Sequence, residues 1–174
     1  MKHIVGVLLI DFAQIPSEMQ QKWEFNFLYK SLYSGSANEI LSDVSPYVFE
    51  IPEDYSSTSW FFENGWGNAW GVIVNTKVSF EDCWKHFRKF LLVKTEDDQE
   101  LYFRFYDPRV LRIFLPTCDE KQIMELFGPI DKFIVEGETK EEAIEFSHQQ
   151  GMLKQRSIAA GELFEGDKFL VRNY

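Results

Sequence analysis

The chain has 174 residues, a length that suits one domain with a modest extension and permits a core without disulfide or metal staples. Its composition, 45% hydrophobic and 17% aromatic, excludes a disordered chain. Its formal charge of −10 argues against general nucleic-acid binding and against adhesion to an anionic membrane. Two distant cysteines, Cys83 and Cys118, form no CxxC and exclude a sequence-evident zinc site or redox dithiol, so no metal or other cofactor is expected.

Residues 3 to 10 carry a nearly continuous apolar run, the pattern of a strand covered on both faces, and Asp11 ends it at a sheet edge where sites often lie. No small-residue cleavage site follows, and no stretch approaches the ~18–20 apolar residues of a membrane span. A cytoplasmic protein is expected. Ser17 after Pro16 predicts a helix cap, with the helix running to about Tyr33 and burying Trp23, Phe27, Leu28 and Leu32. Ser36 and Glu39 have capping-box spacing for a second helix, and Tyr47 to Ile51 alternates like a strand. A short helix is expected near Thr58 to Glu63, then a Gly-rich turn, GWGNAWG, that lets two Trp pack. Gly71 to Asn75 predicts another buried strand.

Ser79 and Asp82 cap a strong amphipathic helix with Phe80, Cys83, Trp84, Phe87, Phe90 and Leu91 on its apolar side. His86 reads as a solvated residue beside Lys85 and Arg88. Leu92 to Thr95 and Leu101 to Tyr106 predict a hairpin around EDDQE, with Arg104 in mid-strand. Asp107 is an N-cap and Pro108 the first helical residue. Arg109 and Arg112 fall in the first turns of that helix, where the dipole disfavours cations, so a partner for them is expected. Pro116 breaks the helix. Thr117 and Glu120 cap the next, which stops at Gly128-Pro129, and Phe133 to Val135 is expected as the last strand.

Residues 136 to 167 hold eight Asp or Glu against three Lys or Arg. Thr139 and Glu142 cap an expected helix through His148. A boundary near 137 would divide residues 1–136, the main domain, from 137–174, an acidic, peripheral, partner-selecting extension outside the central sheet. The fold class expected is α/β, a mixed sheet covered on both faces by helices.

Catalytic signals are weak. His3, His86 and His148 have no ligand spacing, and no GxSxG elbow, P-loop or GxGxxG is present. From Lys77 to Arg112 there are eight Lys or Arg and seven Asp or Glu, so an otherwise acidic chain gathers its cations among aromatics. That combination suits a polypeptide partner.

The runs WGNAWGVIVNT, EDCWKHFRKFLLVKT, ELYFRFYDPRVLRIFLPTC and EKQIMELFGPIDKFIVE, with LIDFA, LYSG and SPYVFEI before them, resemble the DUF4123 family of bacterial type VI secretion effector chaperones, also called adaptors. The resemblance covers roughly residues 3 to 136, and the FRFYDPRVL and FGP elements are its specific parts. It implies a cytosolic, non-catalytic protein that binds a toxin effector and helps load it onto a VgrG or PAAR-type spike protein. Arg104, Asp107, Pro108 and Arg109 match the RFYDPR core, and His86 and Arg88 match the HFRK helix. The candidate partner-contacting residues are therefore His86, Arg88, Arg104 and Arg109, with Trp60, Trp66 and Trp70. Asp107, Pro108, Gly128 and Pro129 are expected to be structural. Many relatives carry a longer second region at the C-terminus than the one after Glu136. Two alternatives stay open: an enzyme holding a small anion on Arg104, Arg109 and His86, and an immunity protein whose acidity suits a basic toxin.

Overall fold

The computed structural model describes residues 5–20, 28–33, 44–51, 56–94, 97–165 and 168–169. Its frame is a seven-stranded sheet built from β1 (Val5–Asp11), β2 (Tyr29–Ser31), β3 (Pro46–Glu50), β4 (Gly71–Thr76), β7 (Ile130–Glu136), β8 (Glu142–Gln149) and β9 (Met152–Ala159), in the order β2-β3-β1-β4-β7-β8-β9. Two small hairpins stand apart: β5 (Leu92–Lys94) with β6 (Glu100–Tyr102), and β10 (Phe164–Glu165) with β11 (Lys168–Phe169). The helices are α1 (Ser17–Gln20), α2 (Ser56–Asn64), α3 (Phe80–Arg88), α4 (Pro108–Phe114) and α5 (Glu120–Phe127).

The α/β class holds, and the pairings within the large sheet are antiparallel. Continuous apolar runs in β1 and β4 report burial on both faces and carry no information on strand direction. In β1 the side chains alternate between two cores. Val7 and Leu9 join Val72 and Val74 on one face, closed by Cys83 and Phe87 of α3, Leu111 of α4 and Ile123, Leu126 and Phe127 of α5. Leu8 and Ile10 join Ile73 on the other, closed by Phe61 of α2, Trp66, Trp70, Phe12, Ile15 and Leu163.

The middle helices form where local chemistry specifies them. Ser79 Oγ accepts from Asp82 N at 3.2 Å and starts α3. Asp107 caps α4, with Pro108 in its first turn. For α5 the cap is Asp119, paired reciprocally with Gln122, in place of the expected Thr117 and Glu120. Gly128 ends α5 at φ +48°, and a Cβ there would lie 2.5 Å from His86 Cε1.

Three expectations are corrected. The helix from Ser17 does not reach Tyr33: Tyr29–Ser31 is strand β2, Leu28 is exposed and Leu32 is buried, so no shared helical stripe links them. Residues 21–27, with Trp23 and Phe27, and the expected helix from Ser36 lie outside the described residues. Arg104 is not in mid-strand. β6 ends at Tyr102, and Asp107 N donates to Arg104 O in a turn.

The third correction is the largest. The expected helix from Thr139 to His148 is strand β8, and Phe133 to Val135 is not the last strand. Residues 142–159 belong to the central sheet: β8 pairs with β7, β9 pairs with β8, and Ala143, Ile144 and Phe146 are buried. Ala143 points into one core while Ile144 and Phe146 point into the other, so two-sided burial erases the alternation that would have marked a strand.

Candidate functional site

A neutral network of four charged side chains is built where β1 meets the turn before α4. Asp11 and Asp107 are each only 2% exposed. Arg104 Nη2 donates to Asp11 Oδ2 at 2.5 Å and lies 3.4 Å from Asp107 Oδ2. Arg109 grips Asp107 as a fork, Nε to Oδ1 at 3.0 Å and Nη2 to Oδ2 at 2.7 Å, and also reaches Gln14 Oε1 at 3.3 Å. Each carboxylate is a cap as well: Asp11 Oδ1 accepts from Ala13 N at 3.1 Å at the start of the 3-10 turn Phe12–Gln14, and Asp107 Oδ1 accepts from Arg109 N at 3.0 Å at the start of α4.

The electrostatics follow from this pairing. Burial alone would raise the Asp107 carboxyl, but hydrogen bonds from the Arg109 side chain and backbone, with the charges of Arg109 and Arg104, hold it below the usual range. Burial would likewise lower Arg104, and the Asp11 bond and charge reverse that. Tyr106 is pushed up by burial and then by Asp11 and Tyr33. Tyr33 is raised by burial, then by Tyr102 and Asp11. Both phenols are neutral at pH 7.

Beside the network lies a cleft of about 320 Å³ lined by Leu32, Tyr33, Arg88, Lys89, Leu91, Leu92 and Tyr102. Tyr33 and Tyr102 meet edge to face at 6.5 Å. Arg88 stacks over the Trp84 ring at 4.7 Å, Lys30 Nζ sits 4.5 Å from the same ring, and Trp84 Nε1 donates to Ser31 O at 2.8 Å. These contacts tie α3 to β2.

The expected site residues separate into distinct environments. Arg104 and Arg109 come together, and Arg88 lines the adjoining cleft. His86 does not join them and is not solvated. It shares the buried face of α3 with Cys83 and Phe87, and its Nε2 lies 2.8 Å from Leu126 O. Burial lowers its pKa. The two thiols are likewise quiet: burial pushes Cys83 up to about 12 and Cys118 up to about 11. Trp66 and Trp70 are core residues and so offer no open face to a partner, while Trp60 is half-buried against Trp70 at 5.6 Å. Pro108 is buried, and Pro129 O accepts from Thr76 Oγ1 at 2.8 Å.

Two side chains that hold the site together do so through long-range pairs that local reading does not show. Asp11 meets Arg104 across 93 positions. Glu136 is buried, and its Oε2 and Oε1 accept from Gly67 N at 2.7 Å and Ala69 N at 3.0 Å, locking the GWGNAWG turn. Burial raises its carboxyl in spite of those two donors. Arg112 donates to the carbonyls of Glu136 and Gly137, and Trp66 Nε1 to Lys140 O at 2.9 Å. Because α4 is only seven residues long, Arg112 falls in its last turn, where the dipole favours a cation. An acidic strand end and a cation near a helix terminus are the only local signals these residues offered.

Among the described residues no group of three or more His, Cys, Asp or Glu could hold a metal ion, and no helix is long and apolar enough to cross a membrane. No curated protein and no solved structure matches the chain. A family model described as a domain of unknown function, DUF4123, matches residues 8–125, which include the whole charged network and the cleft and make up more than half of the sequence. The chain is a member of the DUF4123 family.

Proposed function

We propose that the protein is a non-catalytic adaptor that binds a type VI secretion effector in the bacterial cytoplasm and helps load it onto a VgrG or PAAR-type spike protein. The observation that carries this reading is family membership through the FRFYDPR segment, whose charged residues form the network beside the cleft. Its chemistry supports a scaffold. Acid–base work needs a carboxylate or imidazole free to exchange a proton with a substrate. Asp11 and Asp107 are buried and bound to arginines, His86 is turned into the core, and the phenols of Tyr33 and Tyr106 are raised. Two carboxylates against two guanidiniums balance the network's charge, which weighs against the anion-binding enzyme. The cleft, with Leu92 and Tyr102 exposed beside Arg88 and Lys89, has the mixed aromatic and cationic lining that polypeptide contacts favour.

The deciding experiment is co-expression of the tagged protein with the toxin encoded beside it, followed by pulldown. The adaptor reading expects a stable complex that enters the spike assembly. A chain that binds no toxin, or that binds one and protects intoxicated cells without aiding its secretion, sinks it.

A further inference from the structure

A chain of formal charge −10 ends its sheet on a basic strand. β9, MLKQRSIA, carries Lys154 and Arg156 and no acidic residue. It pairs with β8 on one side, and among the described residues no strand pairs with the other. Met152, Lys154, Gln155, Arg156, Ser157 and Ala159 are exposed.

The hairpin fixes which backbone groups face outward. Gln149 and Met152 close a two-residue loop, with φ +52° at Gln150 and +81° at Gly151, the doubly positive pattern of a type I′ turn. The pair closing such a loop is hydrogen-bonded, and bonded and non-bonded pairs alternate from there. Lys154 with Ser147 and Arg156 with Glu145 are thus bonded pairs. Leu153, Gln155, Ser157 and Ala159 fall on the other phase, with N–H and C=O directed away from β8. Glu142, opposite Ala159, turns its carbonyl to Gly137 N on the β7 side, as this phase requires.

Alongside the edge, Lys132, Glu145, Ser147, Lys154, Gln155 and Arg156 line a groove of about 510 Å³. Its one carboxylate, Glu145, is shared by Lys132 at 3.0 Å and Arg156 at 3.5 Å, and Lys154 Nζ rests on the neutral Gln149 Oε1 at 2.6 Å. The lining holds three cations, Lys132, Lys154 and Arg156, and one carboxylate, and Lys154, whose printed side-chain contact is to a neutral amide, offers its charge at the strand edge.

We infer that the β9 edge takes an extended acidic segment of a partner polypeptide as an added strand, its backbone on Leu153, Gln155 and Ser157 and its carboxylates over Lys154 and Arg156. This deepens the adaptor reading and rests on it for the source of the strand. A second β9 would set basic residues against basic residues, which disfavours self-pairing. A nucleic-acid strand would meet the negative charge of the rest of the molecule. The edge also lies beyond the family match, which ends at residue 125.

The test uses the full-length chain and a short fluorescein-labelled peptide alternating Val and Glu, with a Val/Lys peptide as control. Gln155→Pro removes an outward N–H that no strand among the described residues uses, a change edge strands accept. Fluorescence anisotropy should show the acidic peptide binding, at least about tenfold weaker binding to Gln155→Pro at unchanged Tm, and several-fold weaker binding to Lys154→Glu. No binding, equal binding of the basic peptide, or wild-type binding by a folded Gln155→Pro or Lys154→Glu overturns the proposal. The co-expressed effector separates the two readings. Full-strength capture by both variants overturns the edge site and leaves the adaptor. Peptide binding without capture by the wild type supports the edge site and removes the adaptor.

Discussion

Asp107 performs several tasks with two oxygens: it caps α4, takes the Arg109 fork and faces Arg104. Asp107→Ala should destabilise the protein by about 2 kcal/mol, the upper part of the range for a lost cap, because Arg109 loses its buried counter-ion and Arg104 the farther of its two. Thermal melts would read this, and an unchanged Tm would return the motif to surface chemistry. The folded carboxyl titrates below its unfolded value of about 3.9. Its stabilisation is therefore fully present above pH ~3.9 and is lost as pH falls through the lower folded value. The gap between wild type and Asp107→Asn should close on acidification through that window. His86 has the same sign from a different cause. Burial lowers its folded pKa below the unfolded value of about 6.5, so stability is complete above pH ~6.5 and declines as pH falls toward the folded value. A pH series of melts should show a slope just below pH ~6.5 in the wild type that His86→Gln lacks.

At the scale of elements, β8 decides whether the C-terminal region is an appendage. Phe146 is fully buried beside Phe133 and opposite it in register, and Phe146→Ala should cost about 3–5 kcal/mol. Deleting residues 137–174 removes Ala143, Ile144 and Phe146 from both cores and exposes the edge of β7, so an insoluble or molten product is expected in near-UV circular dichroism. A cooperative melt from that truncation would contradict the assignment of β8 to the core. The helices α3 and α4 were legible because their caps are written within a few residues: Ser79 before Asp82, and Asp107 before Pro108. β8 was not. Thr139 and Glu142 satisfy capping spacing, yet in the fold Glu142 N merely closes a turn onto Thr139 O, and Gln150-Gly151 lacks the Asn or Asp that usually announces a hairpin. The charged network was half legible. Local spacing marked Asp107, Pro108 and Arg109 as one unit, but nothing local joins Asp11 to Arg104 or Glu136 to the Gly67 backbone.

In the whole molecule, one sheet separates two cores, and strands such as β1 and β4 contribute to both. A single unfolding transition is expected by calorimetry and fluorescence alike, since neither core survives loss of the shared strands. Arg109 is the variant that tells scaffold from contact. It is half-exposed and Asp107 keeps Arg104, so Arg109→Ala should lower stability by less than Asp107→Ala. If the cleft and its neighbouring network meet the effector, the same change should weaken capture by more than the stability loss accounts for. Equal pulldown by mutant and wild type would make Arg109 purely structural.

The strand order has a consequence for synthesis. β1, the first of the described strands to be made, ends between β3 and β4 near the middle of the sheet. By Thr76 the ribosome has delivered β1, β3 and β4, but Val7, Leu9, Val72 and Val74 stay uncovered until α3, α4, α5, β7 and β8 follow, through Phe146. That is roughly 70 residues of waiting, or about 4–14 s at ordinary elongation rates. For those seconds the apolar faces of β1 and β4 lack the helices and strands that cover them in the finished fold, an aggregation-prone interval that β8 brings to a close.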